Sequence, residues 1–581
     1  MAKPLTVELL LEEAASFAKA ESRHAESSLA GVTDGEVASA CLERKFLTLS
    51  KTAPSQVGAT VPRMKAEAKI EFGDFQTPLA LAQEVCSLLV QRGEVMDTIL
   101  EPTCGVGAFL VSAGEVFPNA KLLGWDINPD YVEQAKSALE LAGSAKRATV
   151  GQQDFFSHDW EQELAKIRGS LLVLGNLPWV TNAAVSGMNG SNLPAKENFQ
   201  GFRGIEARTG KSNFDISEWM LIRLVNALRG RSAVIAMLCK TATARKVLRF
   251  AWQHDGRISS ASLHRIDAKK HFGASVDACL LIAHTGEAGP EEADVFEELT
   301  AKRRSTTLGL AGQDLVFNIR TYRRLKHLEG PCPYQWRSGV KHDCASVVEL
   351  RPANGHGFQN KLGEHVNIEP DFLFPLLKCS DLANGRTEAD RLMLVTQRRV
   401  GDDTAVIKET APQTWRYLDA HRGLFAARKS SIYNGRVPFA LFGIGDYAFA
   451  PWKVAVSGLH KTPRFVLVGP LAGKPVLFDD ACYFLSFDDE SEARVVAEIL
   501  NSEICREFLD SLIFTDSKRP ITVELLQRLN IRAIADEAGL EIGWNASRNR
   551  AVSSSESAAS VQAEFEMEHC VKPKYKKAVV Q

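Results

Sequence analysis

The chain has 581 residues, of which 45% are apolar and 24% charged, long enough for several buried cores and too apolar to be disordered. Its 69 Lys+Arg against 71 Asp+Glu leave a formal net charge of −2, which excludes a protein basic along its whole length but permits a local basic surface. No apolar run approaches the ~18–20 residues that span a bilayer, so no membrane partner is expected, and the eleven cysteines, without a CxxC pair, read as reduced cytoplasmic thiols.

Residues 1–70 read as a small helical segment, with helical apolar spacing over 5–18 and Thr33-Asp34 as the cap of a second helix ending near Leu47. The acidic, amphipathic start lacks a small-residue cleavage site and is not read as a secretory signal. From 71 to 290, helical stretches alternate with short apolar runs at 98–100, 121–125, 171–174, 233–238 and 278–282. That alternation predicts an α/β fold with a doubly wound sheet. A charged stretch over 286–304 marks a boundary, and 291–545 reads as a second domain richer in strands and turns. The Ser/Ala/Glu-rich and then basic residues 546–581 read as a flexible tail. Cys332, His342 and Cys344 come nearest to a zinc-ligand set, but they are too few and too loosely spaced, and no metal is expected.

The stretch VMDTILEPTCGVGAFLVSAGEVF reads as strand, tight glycine loop and helix. Gly105 and Gly107 let backbone pass close to a ligand at the carboxyl end of a strand. Nineteen residues after Gly107 the next strand ends at Asp126, where a carboxylate can accept from both ribose hydroxyls. The loop lacks the third glycine of a dinucleotide site, the Gly-Lys-Ser/Thr of a P-loop and any basic residue, which suits a nucleoside without phosphates. Asp154 and Phe155 follow a third expected strand; a carboxylate beside an aromatic ring can hold an adenine by its amino group and its face. Alone the dipeptide decides nothing, and it gains weight from its place after Gly105, Gly107 and Asp126.

The stretch LLVLGNLPWVTN carries the chemistry. An apolar strand delivers Asn176, Leu177, Pro178 and Trp179 to the rim that holds the glycine loop. An aromatic amine such as adenine N6 is a poor nucleophile, because its lone pair is delocalised into the ring. The Asn176 side-chain carbonyl and the Leu177 main-chain carbonyl can accept both amino hydrogens and free that lone pair for an electrophilic methyl. Pro178 stiffens the turn and Trp179 offers a face for the base, so positioning and fixed dipoles supply most of the rate.

In these motifs the chain resembles the gamma-class adenine-N6 DNA methyltransferases of restriction-modification systems, clearly over 72–280 and more loosely over 371–529. The resemblance implies a class I methyltransferase Rossmann-like sheet over 71–290, a C-terminal mixed α+β target-recognition domain over 291–545, and S-adenosylmethionine as cofactor. FGDFQTP is similar to the family's first cofactor motif, placing Thr77 and Pro78 against the methionine moiety. EPTCGVGAFL is similar to its glycine motif, with Glu101 in the acidic position and Thr103 in the same cofactor set. Asp126, Asp154 and Phe155 carry over as ribose and adenine contacts. NLPW matches the catalytic Asn-Pro-Pro-aromatic motif, and HFGASVDACLLIA implies that Phe272 packs on a flipped base. Leu177 stands where proline is usual, but the group needed there is a carbonyl, which leucine retains.

Ribosomal RNA adenine dimethyltransferases and release-factor glutamine methyltransferases share this device, so the motif specifies amine methylation more firmly than the substrate. Two features favour duplex DNA as partner. The window 397–465 holds eleven Lys/Arg against five Asp/Glu, a balance of +6, with Trp415, Tyr417, Tyr433, Phe442, Tyr447, Phe449 and Trp452 interleaved. Such residues neutralise phosphates and reach base edges, and reversing Arg428 and Lys429 to glutamate is expected to weaken duplex binding. The Gly/Asn/Ser-rich stretch 181–213 directly after the catalytic turn is expected to order on DNA. A target adenine must then be flipped from the stack. No nuclease carboxylate cluster is evident, so any cognate restriction endonuclease is expected to be encoded separately, and the protein is expected in the cytoplasm with the nucleoid. The alternatives are methylation of RNA adenine or protein glutamine, or an inactive DNA-binding protein.

Overall fold

In a computed structural model of the chain, residues 76–180, 215–353 and 357–540 are described. The helical segment expected over 1–70, the loop expected over 181–213, the tail expected over 546–581 and residues 72–75 of the FGDFQTP stretch lie outside the described residues. The chain divides into two compact units, Met1–Ser305 and Thr306–Gln581. Among the described residues no helix is long and apolar enough to cross a membrane.

The first unit begins with α1 (Leu79–Gln91), β1 (Thr98–Glu101), α2 (Ala108–Val116), β2 (Lys121–Asp126), α3 (Pro129–Leu141), β3 (Ala148–Gln152), α4 (Trp160–Lys166) and β4 (Leu171–Asn176). It continues with α5 (Ile216–Ala227), β5 (Ala233–Lys240), α6 (Thr241–Gln253), β6 (Ile258–Ile266), α7 (Ala268–Phe272), β7 (Ala278–Thr285) and β8 (Glu292–Phe296). The strands lie in the order β8-β6-β7-β5-β4-β1-β2-β3. Neighbours from β5 to β3 are parallel, whereas β7 runs antiparallel to both β5 and β6. The central strands β1, β4 and β5 are buried along nearly their whole length, which is why they read as unbroken apolar runs rather than alternating ones. Helices α1 and α2 contribute Leu81, Val85, Leu89, Phe109 and Leu110 to the core, each fully buried. The doubly wound α/β sheet expected from the sequence is therefore present.

The boundary differs from the expected one. The charged stretch after residue 286 does not break the sheet: β8 pairs in parallel with β6, from Ser262 opposite Asp294 to His264 opposite Phe296. Ala293 and Val295 alternate inward while their neighbours stay partly exposed, a strand pattern that its charges obscure. The unit consequently runs to Ser305.

The second unit holds a four-stranded sheet, ordered Arg337–Ser338, Cys482–Phe487, Trp452–Ser457 and Val466–Val468, and a six-stranded one. The zinc candidates do not converge: Cys332 and Cys344 sit in separate cores, and His342 Nδ1 accepts from the Cys344 N–H at 3.1 Å. The aromatics of the basic window are not held out for a nucleic acid. All seven are buried or half-buried. Trp415 packs edge-on against Phe439 at 5.6 Å, and the Tyr417 hydroxyl donates to the Val347 carbonyl at 2.9 Å. Arg428 is likewise internal, its guanidinium donating to the carbonyls of Phe425 at 2.9 Å, His342 at 3.3 Å and Ala440 at 2.7 Å, and lying 3.5 Å over the Tyr433 ring. Lys453 is buried at 1% exposure, and burial pushes its pKa down to about 7. Composition reports charge but not direction, and here part of the basic excess points inward.

Replacing Arg428 with alanine is therefore expected to lower the stability of the second unit by about 1.5–3 kcal/mol, the range for lost hydrogen bonds to a charged group. Denaturant unfolding checks this; an unchanged midpoint would return Arg428 to the surface.

Candidate active site

The strand order reverses between β1 and β4. From β1 the chain runs outward through β2 and β3, and from β4 it runs the other way through β5. The two strands are parallel, with Leu100 opposite Val173, so their carboxyl ends open side by side at the point where a doubly wound sheet accepts ligands. One end carries the glycine loop and the other carries Asn176.

The glycine loop is fixed from three sides. Asp126, at the end of β2, accepts from the Gly105 N–H through Oδ2 and from the Asn128 N–H through Oδ1, both at 2.8 Å. The Cys104 N–H donates to the Trp125 carbonyl at 2.8 Å, and the Val106 N–H donates to Gln76 Oε1 at 3.2 Å. Gly105 has φ +49°, and a Cβ there would meet Gln76 Oε1 at 2.5 Å; Gly107, at φ +87°, would bring a Cβ to 3.0 Å from Ala135 Cβ. Neither glycine can be replaced without strain. Thr77, 9% exposed, and Pro78, the N-cap of α1, follow Gln76 directly.

Carboxylates and hydroxyls dominate this edge. Glu101 closes β1 at 3% exposure, and burial, together with the negative charge of Asp126, holds its carboxyl well above the usual range. Glu101 Oε2 and Thr103 Oγ1 are buried and have no hydrogen-bond partner among the described residues. Asp154 follows β3, beside Asp126, whose carbonyl accepts from the Gln153 N–H at 2.9 Å; its own Oδ1 accepts from the Phe156 N–H at 2.9 Å. Phe155 is more enclosed than expected: its ring packs 4.7 Å from Trp160 and 6.4 Å from Trp219, which leaves Phe156 the more exposed ring of the pair. The acceptor-rich, cation-free loop over 101–107 fits a ligand that presents donors and positive charge, without phosphates.

Across the edge, β4 ends at Asn176 opposite Leu238 of β5. Leu177 and Trp179 are buried at 1% and 5%, and Pro178 is half-buried between them. Trp179 meets Phe272, at the end of α7, edge to face with ring centroids 5.0 Å apart at 68°. The catalytic-turn aromatic and the residue nearly a hundred positions later are thus brought together. Three residues that sequence reasoning passed over complete the neighbourhood. Gln76 lies inside the FGDFQTP stretch and braces the glycine loop, while Lys240 bonds both the Trp179 carbonyl and Asp215. Asp215 had a local signal, as an acidic N-cap before an apolar helix; Lys240 had only its place at the end of an apolar run.

A carboxyl whose pKa is raised on folding keeps its proton more tightly in the folded state, so its contribution to stability falls as pH rises above the unfolded value. With Glu101 raised, ligand-free stability should decline from the ordinary carboxyl range towards neutrality. Glu101→Gln should remove that part of the slope and raise neutral-pH stability. Unfolding midpoints across the pH range check this; a slope unchanged by the substitution would contradict it.

No protein-family model matches the chain. It is 42% identical over 473 residues to the Type II methyltransferase M.NspV of Nostoc sp., covering 81% of this chain and 98% of that protein. It is 30% identical over 108 residues to the Type II methyltransferase M.XamI of Xanthomonas campestris pv. amaranthicola, covering 19% and 20% of the two chains. Among solved structures it shares its fold with the Type IIL restriction-modification enzyme MmeI, solved in complex with DNA, at TM-score 0.50 and 13% identity over 84% of this chain and 67% of that one. With near-complete coverage of M.NspV and the glycine loop and NLPW turn at one sheet edge, the chain belongs to the Type II methyltransferases, and S-adenosylmethionine is its methyl donor.

Proposed function

We propose that the chain methylates the exocyclic N6 amine of an adenine flipped out of duplex DNA, as the modification enzyme of a restriction-modification system. The observation that carries this reading is that Asn176 ends the strand next to the one that leads into the glycine loop, with Leu177 and Pro178 following it and Trp179 and Phe272 packed together. Bound S-adenosylmethionine supplies an electrophilic methyl on a sulfonium. The chain's own residues do the rest. Glu101, Thr103, Asp126 and Asp154 offer acceptors to the cofactor's amine, hydroxyls and adenine, and Thr77 and Pro78 stand beside its methionine end. Asn176 Oδ1 and the Leu177 carbonyl accept the two amine hydrogens and turn the nitrogen lone pair towards the methyl. Trp179 stacks on the base, and Phe272, half-buried on a short helix that ends at Gly273, packs against it once the ring moves aside. Stacking offsets the few kcal/mol of unstacking.

Duplex DNA as partner is supported by the second unit's length and by the nine exposed Lys/Arg of the window 397–465, among them Lys408, Lys429, Lys461 and Arg464, that remain once Arg428 and Lys453 are set apart. A separately encoded endonuclease fits the same reading. Labelled methyl transfer offered separately to duplex DNA, RNA and protein tests it. Label in DNA is expected; label only in RNA or protein would overturn it.

Asn176→Ala is expected to abolish transfer while leaving cofactor affinity intact, because Asn176 serves the amine and the glycine loop holds the cofactor. Residual transfer near the wild-type rate would remove Asn176 from catalysis. Asp126→Ala should weaken cofactor binding by about 1.5–3 kcal/mol, read by titration calorimetry. An unchanged dissociation constant would place Asp126 outside the site.

A further inference from the structure

The exit of the catalytic turn is held by a partly buried ion pair. Lys240 is the last residue of β5, and because Asn176 lies opposite Leu238 in a parallel pair, Lys240 comes alongside Pro178. Its ammonium donates to the Trp179 carbonyl at 3.0 Å and to Asp215 Oδ2 at 2.6 Å. The Lys240 and Asp215 side chains are 22% and 10% exposed. Asp215 in turn caps α5, its Oδ1 accepting from the Ser217 N–H at 3.1 Å, and the Ile216 N–H donates to the Val180 carbonyl at 2.9 Å. Trp179 and Val180, which follow the turn, are thereby tied to Asp215 and Ile216 at the start of α5.

The main chain of Lys240 pairs with Ala278 at the start of β7, and the neighbouring Thr241 N–H donates to the Asp277 carbonyl at 3.0 Å, at the end of the connection that follows Phe272. Lys240 therefore joins the backbone of β7 to the backbone of Trp179. We propose that Lys240 is a positioning residue for methyl transfer, with Asp215 as its counter-charge. This inference rests on the adenine-methylation reading.

The physical reason is torsional. The Pro178 ring fixes the backbone before Trp179, and the Lys240 bond fixes the peptide after it. The Lys240 bond limits rotation after Trp179, and the Pro178 ring limits rotation between Trp179 and the Leu177 carbonyl, so ring and acceptor keep their relative placement. A charge-assisted bond to a carbonyl, in a setting that excludes most water, is strong enough to impose this. Without the ammonium the exit peptide can rotate, and the Asp215 carboxylate is left without its counter-charge. Lys240 makes none of the contacts that brace the glycine loop, so the loss should fall on the chemical step.

The test uses the full chain, purified as wild type, Lys240→Met, Lys240→Arg and Asp215→Asn, with plasmid duplex DNA and labelled S-adenosylmethionine. Lys240→Met should lower kcat by on the order of 10–100-fold, the scale of small misplacement at a reacting centre. Its cofactor dissociation constant should stay near wild type, while its thermal midpoint falls with the loss of the partly buried ion pair. Lys240→Arg should recover most of kcat, since a guanidinium also reaches a carbonyl and a carboxylate together. Asp215→Asn should fall between the two. Wild-type kcat in Lys240→Met overturns the inference. So does a loss of kcat that comes with an equal loss of cofactor affinity and is not rescued by arginine. A wild-type chain that labels no duplex DNA overturns the reading beneath it as well.

Discussion

The site in the first unit depends on the reversal of strand order between the parallel strands β1 and β4. Two parallel strands with opposite onward paths leave their carboxyl ends uncovered by a crossover, and both ends therefore face the same opening. The glycine loop and the Asn176 turn need no further device to meet. Both strands are held by apolar side chains buried on both faces of the sheet.

The edge that results is costly to build. Glu101 and Asp126 are buried carboxylates close enough for one to hold the other's proton on, and Glu101 Oε2 and Thr103 Oγ1 have no bond among the described residues. Apolar groups in place of Glu101 and Thr103 would remove that cost, whereas Asp126 is needed by the Gly105 and Asn128 N–H groups. A cationic, donor-rich ligand removes the cost, since it neutralises the charge and satisfies the acceptors. On the proposed cofactor contacts, stability is traded for complementarity to S-adenosylmethionine, and Asp126 also shapes the loop through Gly105 and Asn128.

Local motifs were legible from the sequence where one short stretch carries both backbone geometry and chemistry. The glycine loop, Asp126 and NLPW are of this kind, and so was the α/β alternation that orders them. Other features required three dimensions. Strand β6, ISSASLHRI, hides its signal because the polar residues are satisfied from elsewhere: His264 stacks on Phe296 at 4.4 Å and contacts Arg92 at 3.3 Å. The basic window misleads for the converse reason, since Arg428 and the aromatics around it face each other rather than solvent. Lys240 and Asp215 stand 25 positions apart, and only the folded structure shows that Lys240 bonds both Asp215 and the Trp179 carbonyl.

The central claim is that two carbonyl acceptors at the end of β4 activate an adenine amine. Nucleoside mass spectrometry of duplex DNA incubated with the chain and S-adenosylmethionine tests it most directly. The account predicts N6-methyladenine as the product, absent when Asn176 is alanine. Methylation at cytosine carbon, or N6-methyladenine formed equally well by the Asn176→Ala variant, would contradict it.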